Sequence, residues 1–371
     1  MNKIIVVLFA VLVSLPLAGT LAGIDGADPA TENREMAPFP EWKGTWASAR
    51  DYPAGFERWF GDHFAFRARL IRWYAESRMF VLGVSSSSSV LKGSAGWLFY
   101  ADDGGIEDYA NVEPLASADL ASWREALVRA REWLRERGIG YVFSVAPDKA
   151  TIYPEFVPRS IQPVGTRSRT AQLLAALQDT HVAAVYSRPE LIRAKPRERL
   201  YFKTDTHWND RGAWVAYCQI IDAVRQQVPA TPPPWSRAEL DPVNIEVPGQ
   251  DLARMLGLAR VLHETDLRLI PARPRRARVV EPPGITDPMS EVGRLVTEIA
   301  DPRLPRAVIF RDSFASRLAP LLSEHFQRAV YLWQNDFDAQ AVLEEHPDVV
   351  IQEIVSRHLY EFVASPELVP R

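Results

Sequence analysis

The sequence predicts an α/β fold, a mostly parallel sheet flanked by helices, and three observations predict it. Short apolar runs such as Tyr141-Val142-Phe143-Ser144-Val145 alternate with helical periodicities between residues 120 and 227. The same rhythm returns between residues 307 and 351. Strands alternating with helices imply a parallel sheet covered on both faces. The composition, 47% hydrophobic and 24% charged over 371 residues, is that of a globular chain.

The elements follow in order. Lys3 precedes an apolar run from Ile4 to Ile24, broken only by Ser14, Pro16, Gly19, Thr20 and Gly23. A basic start, an apolar body and small residues near Ala22 fit a signal peptide. The length also suits a membrane anchor, which needs about 20 residues. Residues 1–24 are therefore read as a signal peptide or signal anchor, and both readings put the remainder outside the cytoplasm. Residues 25–50, polar and carrying Pro29, Pro38 and Pro40, read as a tether, and 51–371 as the folded domain.

From Tyr52 to Val81 the spacings Phe56–Phe60 and Leu70–Trp73–Tyr74 predict amphipathic helices, interrupted at Gly61-Asp62-His63. His63 beside Asp62 is one candidate catalytic pair; a helix-breaking turn is the simpler reading. Ser85–Ser89 reads as a loop and Trp97–Tyr100 as a short strand. Leu120, Trp123, Leu127, Ala130 and Leu134 line one helix face, which Gly138 ends. Strand Tyr141–Val145 then runs into the loop Ala146-Pro147-Asp148-Lys149, at the sheet edge where ligands bind in open α/β sheets. A helix is expected over Arg169–Leu177, a strand over Ala183–Tyr186, and a helix over Arg211–Gln227 capped by Asn209 or Asp210. Val228–Pro248 reads as a Pro-rich connection, followed by a short helix near Leu252–Leu256 and an inserted hairpin or edge strands within 258–300. Strand Ala307–Phe310, helix Phe314–Phe326, strand Ala329–Trp333, helix Phe337–Glu345 and strand Val349–Ile351 complete the pattern.

Charge and cysteine content exclude some functions. Forty-three basic and 47 acidic residues give a net charge of −4, and the one basic cluster, Arg273 to Arg278, is short. Nucleic acid is therefore not the expected partner. Cys218 is the only cysteine, so neither an intrachain disulfide nor a Cys-rich metal knuckle can form.

Two stretches carry chemistry. Tyr201-Phe202-Lys203-Thr204-Asp205-Thr206-His207-Trp208-Asn209-Asp210 sets an acid, an imidazole and an indole close together. If it is extended, Asp205 and His207 share one side, which suits a carboxylate orienting a base. A metal reading of Asp205, His207 and Asp210 supplies one nitrogen and two oxygens with no second histidine in reach, and no metal or cofactor is assigned. In the second stretch, strand Ala307–Phe310 meets Arg311-Asp312-Ser313-Phe314, with Ser313 where a strand gives way to a helix. A serine there can act as nucleophile, with helix N–H groups stabilising an oxyanion. The alternative is that Asp312 or Ser313 only caps the helix. An activated serine needs a base and the base an orienting acid, and the first stretch offers both.

The Asp205–Asn209 run resembles that of the alginate O-acetyltransferase family of the AlgJ/AlgX type, whose members carry an SGNH-hydrolase-like domain. So do Val145–Lys149 with Tyr153-Pro154, Phe310–Phe314, Pro347–Val350, Gly96–Tyr100 and Glu32-Asn33-Arg34. The resemblance lies in their joint order from about residue 32 to 362. It implies an SGNH-hydrolase-like fold with rearranged, circularly permuted motif order, the serine coming late. It further implies Ser313 as nucleophile, His207 as base and Asp205 as its orienter. The implied reaction adds acetyl groups to hydroxyls of a periplasmic exopolysaccharide, alginate or alginate-like, through an acetyl-serine. The implied partners are the polysaccharide, the inner membrane and a membrane-bound O-acyltransferase that supplies acetyl. Arg311 and Lys149 are candidates to meet an acidic polymer, and Trp208 and Trp333 to stack on sugar faces, with local pairing or packing as the alternative for each. The sequence departs from general SGNH hydrolases in placing Asp two residues before His rather than three. The stretch up to Arg371 leaves no room for the C-terminal carbohydrate-binding module of some members. A carbohydrate acetylesterase and a non-catalytic polysaccharide-binding subunit of an export complex are the competing readings.

Overall fold

The structure, a computed structural model, describes residues 2–24 and 35–369, and Glu32-Asn33-Arg34 lies outside the described residues. The chain forms two compact units, Met1–Lys92 with Pro248–His263, and Gly93–Val247 with Glu264–Arg371. The aromatic helices expected to open the main domain at residue 51 thus fall in the first unit.

In the first unit the apolar N-terminal run forms a helix, and Lys3–Leu21 is long and apolar enough to cross a membrane. Its last turn is fastened: Thr20 Oγ1 accepts the Ala65 N–H at 2.9 Å, and a Cβ on Gly19 would lie 2.6 Å from the Ala65 methyl. The helix Trp46–His63 opens with a capping box between Thr45 and Ser48. It does not break at Gly61-Asp62-His63 as expected. Gly61 is exposed, where glycine costs a helix only about 1 kcal/mol, and the chain turns instead at Phe64–Phe66, with Phe66 at φ 67°. His63 Nδ1 bonds the Trp59 carbonyl at 2.9 Å and Asp62 accepts the Ala37 N–H, so both residues secure the helix end. A helix Arg67–Glu76, a π-helical turn Ser77–Val81, strand β1 (Val90–Lys92) and a short helix Asp251–Met255 complete this unit.

The second unit is built on a seven-stranded sheet. Its strands are β3 (Gly140–Ala146), β4 (Ala183–Tyr186), β7 (Arg278–Glu281), β8 (Arg294–Glu298), β9 (Arg306–Arg311), β10 (Arg328–Trp333) and β11 (Val349–Val355), in the order β4-β3-β11-β9-β10-β8-β7. The first five in that order run parallel, and β8 and β7 close one edge antiparallel. Register brings Ile351 beside both Val142 and Ile309. Alternation along the strands supplies both faces. Tyr141, Phe143, Val145, Val308, Phe310, Val330 and Val350 share a core with Trp123, Leu127, Ala130 and Leu134 of the helix Ser117–Arg135. The helix Asp210–Gln227 also packs on β3, and its Gln227 Oε1 accepts the Tyr141 N–H at 2.9 Å. β2 (Leu98–Tyr100) and a ribbon of β5 (Leu240–Pro248) with β6 (His263–Pro271) stand apart from this sheet.

Two expectations fail for local reasons. The connection Val228–Pro248 contains β5, despite Pro242 and Pro248. A two-stranded ribbon has only edge strands, where a missing N–H is tolerated. The single helix expected over Phe314–Phe326 is three short pieces: a 3₁₀ turn Ser313–Arg317, a helix Ala319–Leu322 and a 3₁₀ turn Ser323–His325. Pro320 cannot donate to the preceding turn, so the chain restarts its helix there.

Candidate active site

Ser313 sits immediately beyond the carboxyl end of β9, on the first residue of the 3₁₀ turn. Asp312 makes the turn. Its Oδ1 accepts the Phe314 N–H at 2.8 Å and its Oδ2 accepts the Val355 N–H at 2.7 Å, which ties the ends of β9 and β11 together. Asp312 is therefore the cap, and the Ser313 hydroxyl is left out of that task. The Phe314 N–H, one of the donors expected to face an oxyanion, is committed to this cap. Behind the turn, burial and then the Asp312 charge push the Glu353 carboxyl well above the usual carboxylate range.

The Tyr201–Asp210 stretch is not extended throughout. It is a tight loop closed by an antiparallel bridge between Tyr201 and Trp208. Asp205 and His207 meet because Asp205 Oδ1 accepts the His207 N–H at 2.9 Å, a local turn closed by the aspartate itself. The same oxygen lies 2.7 Å from His207 Nδ1. On the other side of the ring, His207 Nε2 lies 2.7 Å from Ser313 Oγ. The structure thus brings Asp205, His207 and Ser313 into one line of hydrogen bonds. Burial alone would raise the Asp205 carboxyl, but the hydrogen bonds and charge of His207 more than offset it and hold Asp205 well below the usual range. The histidine side chain keeps 20% of its surface exposed, so the line ends at solvent rather than in the core.

Three of the four residues expected to touch substrate are internal. Trp208 is 1% exposed and its Nε1–H is donated to the Phe314 carbonyl at 3.0 Å. It fastens the histidine loop to the serine turn and has no face free for a sugar. Lys149 is buried, and its Nζ donates to the carbonyls of Phe202, Lys203 and Asp205 at 3.2, 3.3 and 2.6 Å. It holds the loop from below instead of meeting a polymer. Arg311 is buried and donates to Ser316 Oγ and the Ser290 carbonyl, both at 2.8 Å. Trp333 alone keeps an exposed surface, 38%, with the Arg311 guanidinium 4.5 Å from its ring centroid.

Asp210, the third residue of the metal reading, has its carboxylate held by Arg317 at 2.6 Å and by the Leu269 N–H at 3.1 Å. Sequence reasoning missed Glu264, which takes the N–H groups of Lys203 and Thr204 at 2.8 and 3.0 Å and fixes the same loop. It also missed a buried network in which Arg357 pairs with Asp148 at 2.8 Å and Ser356 Oγ lies within hydrogen-bond distance of both Asp108 and Asp148. No local signal marks residues whose partners lie more than two hundred positions away.

The chain resembles known proteins. Residues 90–330 match the family described as the SGNH hydrolase-like domain of the acetyltransferase AlgX. A protein of Pseudomonas putida named "Probable alginate O-acetylase AlgJ" is 30% identical over 139 residues, 37% of this chain and 34% of that one. Its namesake from Pseudomonas aeruginosa is 32% identical over 129 residues, 33% and 30% of the two chains. The chain thus matches about a third of the length of these curated relatives. Among solved structures, Bacillus cereus PatB1 with a sulfonyl adduct aligns over 73% of this chain and 94% of its own, at a TM-score of 0.53 and 16% identity, a likeness of fold.

Proposed function

Because the chain belongs to the family of SGNH hydrolase-like domains of AlgX-type acetyltransferases, we propose that it is an O-acetyltransferase acting on hydroxyls of an exopolysaccharide, alginate or alginate-like. Its catalytic residues on this reading are Ser313, His207 and Asp205. The observation that carries the assignment is the continuous line Asp205 Oδ1–His207 Nδ1 and His207 Nε2–Ser313 Oγ, 2.7 Å at each step.

The chemistry follows from that line. His207 Nε2 takes the Ser313 proton as Oγ attacks the acyl carbon of an acetyl donor. Asp205 keeps the ring oriented and stabilises the imidazolium that forms. With the Phe314 N–H committed to Asp312, the Ser313 N–H is the donor this turn offers the tetrahedral oxyanion. Collapse expels the donor's leaving group, which takes the proton back from His207, and leaves acetyl on Ser313. A sugar hydroxyl then gives its proton to His207 and attacks the acetyl carbon. Collapse releases the acetyl ester and Oγ recovers the proton. Water competes with the sugar at this step, so slow hydrolysis accompanies transfer.

Residues 1–24 act as signal peptide or signal anchor on this reading, 25–50 as a periplasmic tether, and the body works outside the inner membrane. A membrane-bound O-acyltransferase is the proposed source of acetyl. The test is mass analysis of the protein after an activated acetyl ester is added. Acetyl on Ser313, passed to an oligosaccharide, supports the proposal, whereas free acetate alone supports an esterase. Ser313→Ala should lose transfer while folding normally, because Asp312 and not Ser313 makes the cap; retained transfer would sink the assignment.

A further inference from the structure

A cavity of about 400 Å³ opens in the second unit, away from the serine turn. Its walls come from the helix Gly105–Ala110, from the segments that follow β3 and β4, and from the loop before the helix Arg169–Leu177. The chain beyond β3 and β4 leaves their carboxyl ends, and Ser313 follows the carboxyl end of β9, so cavity and serine share one edge of the sheet. In the order β4-β3-β11-β9 they lie up to three strand spacings apart, about 14 Å. A buried chain joins them. Asp108 accepts from Ser356 Oγ at 2.7 Å, Ser356 reaches Asp148 at 3.0 Å, Asp148 pairs with Arg357, and the Arg357 guanidinium lies 5.5 Å from the ring centroid of Phe314, the neighbour of Ser313.

The lining has a definite chemistry. Asp108 is 2% exposed, and its Oδ1 has no hydrogen-bond partner among the described residues. The same holds for Asn111 Oδ1, so two buried acceptors at this cavity need a donor. Leaving such groups unmet carries their full desolvation cost. Tyr109 and Tyr186 add partly exposed rings, and Arg167 and Arg188 are exposed cations whose side chains form no ion pair or hydrogen bond among the described residues. Hydroxyl donors, C–H faces for aromatic rings and a carboxylate for the arginines occur together in an acidic sugar. Burial, then the Asp148 charge, push the Asp108 carboxyl up to about 7, which lessens its repulsion of such a ligand.

We propose that this cavity is a second saccharide subsite, in which Asp108 and Asn111 accept hydroxyls and Arg167 and Arg188 receive the carboxylate of a uronate residue several rings from the one being acetylated. The proposal rests on the acetyltransferase reading for its ligand class. It makes the enzyme prefer long acidic chains and lets the polymer be held while the reacting ring exchanges.

The test is titration calorimetry with the full chain carrying Ser313→Ala, using short and long oligouronates and neutral oligosaccharides of matching length. Ala171→Trp fills the cavity from an exposed helix position. It should weaken binding of long oligouronates about tenfold or more, close to 1.4 kcal/mol, and leave short ones unchanged. In the chain with Ser313 intact it should not alter hydrolysis of a small aryl acetate. Arg167→Ala with Arg188→Ala should erase the preference for uronates over neutral sugars. Unchanged binding of long oligouronates in Ala171→Trp overturns the subsite, as does equal loss for short and long ligands or no saccharide binding by the parent. Length-dependent binding that depends on Ala171, in a protein that transfers no acetyl, would keep the subsite and remove the acetyltransferase reading.

Discussion

Two histidine–aspartate pairs flank Ser313, and they are exposed to similar degrees: 20% for the His207 side chain and 19% for His358. They differ in what the carboxylate does. Asp205 accepts from the backbone and ring of one residue, His207, and the far nitrogen of that ring reaches Ser313 Oγ at 2.7 Å. Asp312 accepts from Phe314 and Val355 N–H groups, while His358 Nδ1 stands 3.3 Å away, at ion-pair distance but outside hydrogen-bond geometry. Burial would raise the Asp312 carboxyl, and His358 and the Phe314 N–H more than offset that. One carboxylate aims an imidazole; the other holds two strand ends. An acid next to a histidine is therefore not a catalytic pair until the rest of the acid's lone pairs are accounted for.

Variants can break or sharpen that contrast. His207→Gln should have the largest effect, lowering turnover on the order of 10⁶-fold with little change in melting temperature; a drop under a hundredfold would mean that His358 serves as base. Asp205→Asn comes next, with a fall in kcat of roughly 10⁴-fold and near-normal substrate affinity, because the ring loses its tautomer control. Asp312→Asn should act mainly on stability, about 1–3 kcal/mol in a denaturant titration, through weakened bonds to two buried N–H groups. Catalytic loss in that variant without destabilisation would merge the two pairs. His358→Gln is expected to be mildest, no more than about 1 kcal/mol of stability, with turnover close to the parent's.

Much of this arrangement is legible in the sequence. Leu120 to Leu134 declare a helix face by spacing, and the strands over 141–145, 183–186 and 329–333 by apolar runs. Asp205, His207 and Ser313 stand out because each lies beside a strand or helix end. What the sequence does not show is burial. Trp208, Lys149 and Arg311 have side chains that suit sugars and acids, but the same indole, ammonium and guanidinium also suit backbone carbonyls, and here they are spent on them. Composition does not tell those uses apart; only the position of the receiving carbonyl does. The Asp148–Arg357 pair is hidden for the same reason, since its two members lie just beyond the carboxyl ends of the neighbouring strands β3 and β11 and far apart in the chain.

The place of β11 has a consequence for folding. Among the described residues it is the last strand in chain order, yet it stands between β3 and β9. Until it inserts, the strand that leads to Lys149 and the strand that leads to Ser313 have no common neighbour, and each shows an open edge. Such edges invite wrong pairing, and long-range parallel pairing is slow. A nascent chain lacking residues 349–355 would hold every member of the candidate triad and still have no frame on which to align them. Activity should therefore appear late and all at once in a refolding time course, with aggregation competing most strongly just before β11 docks.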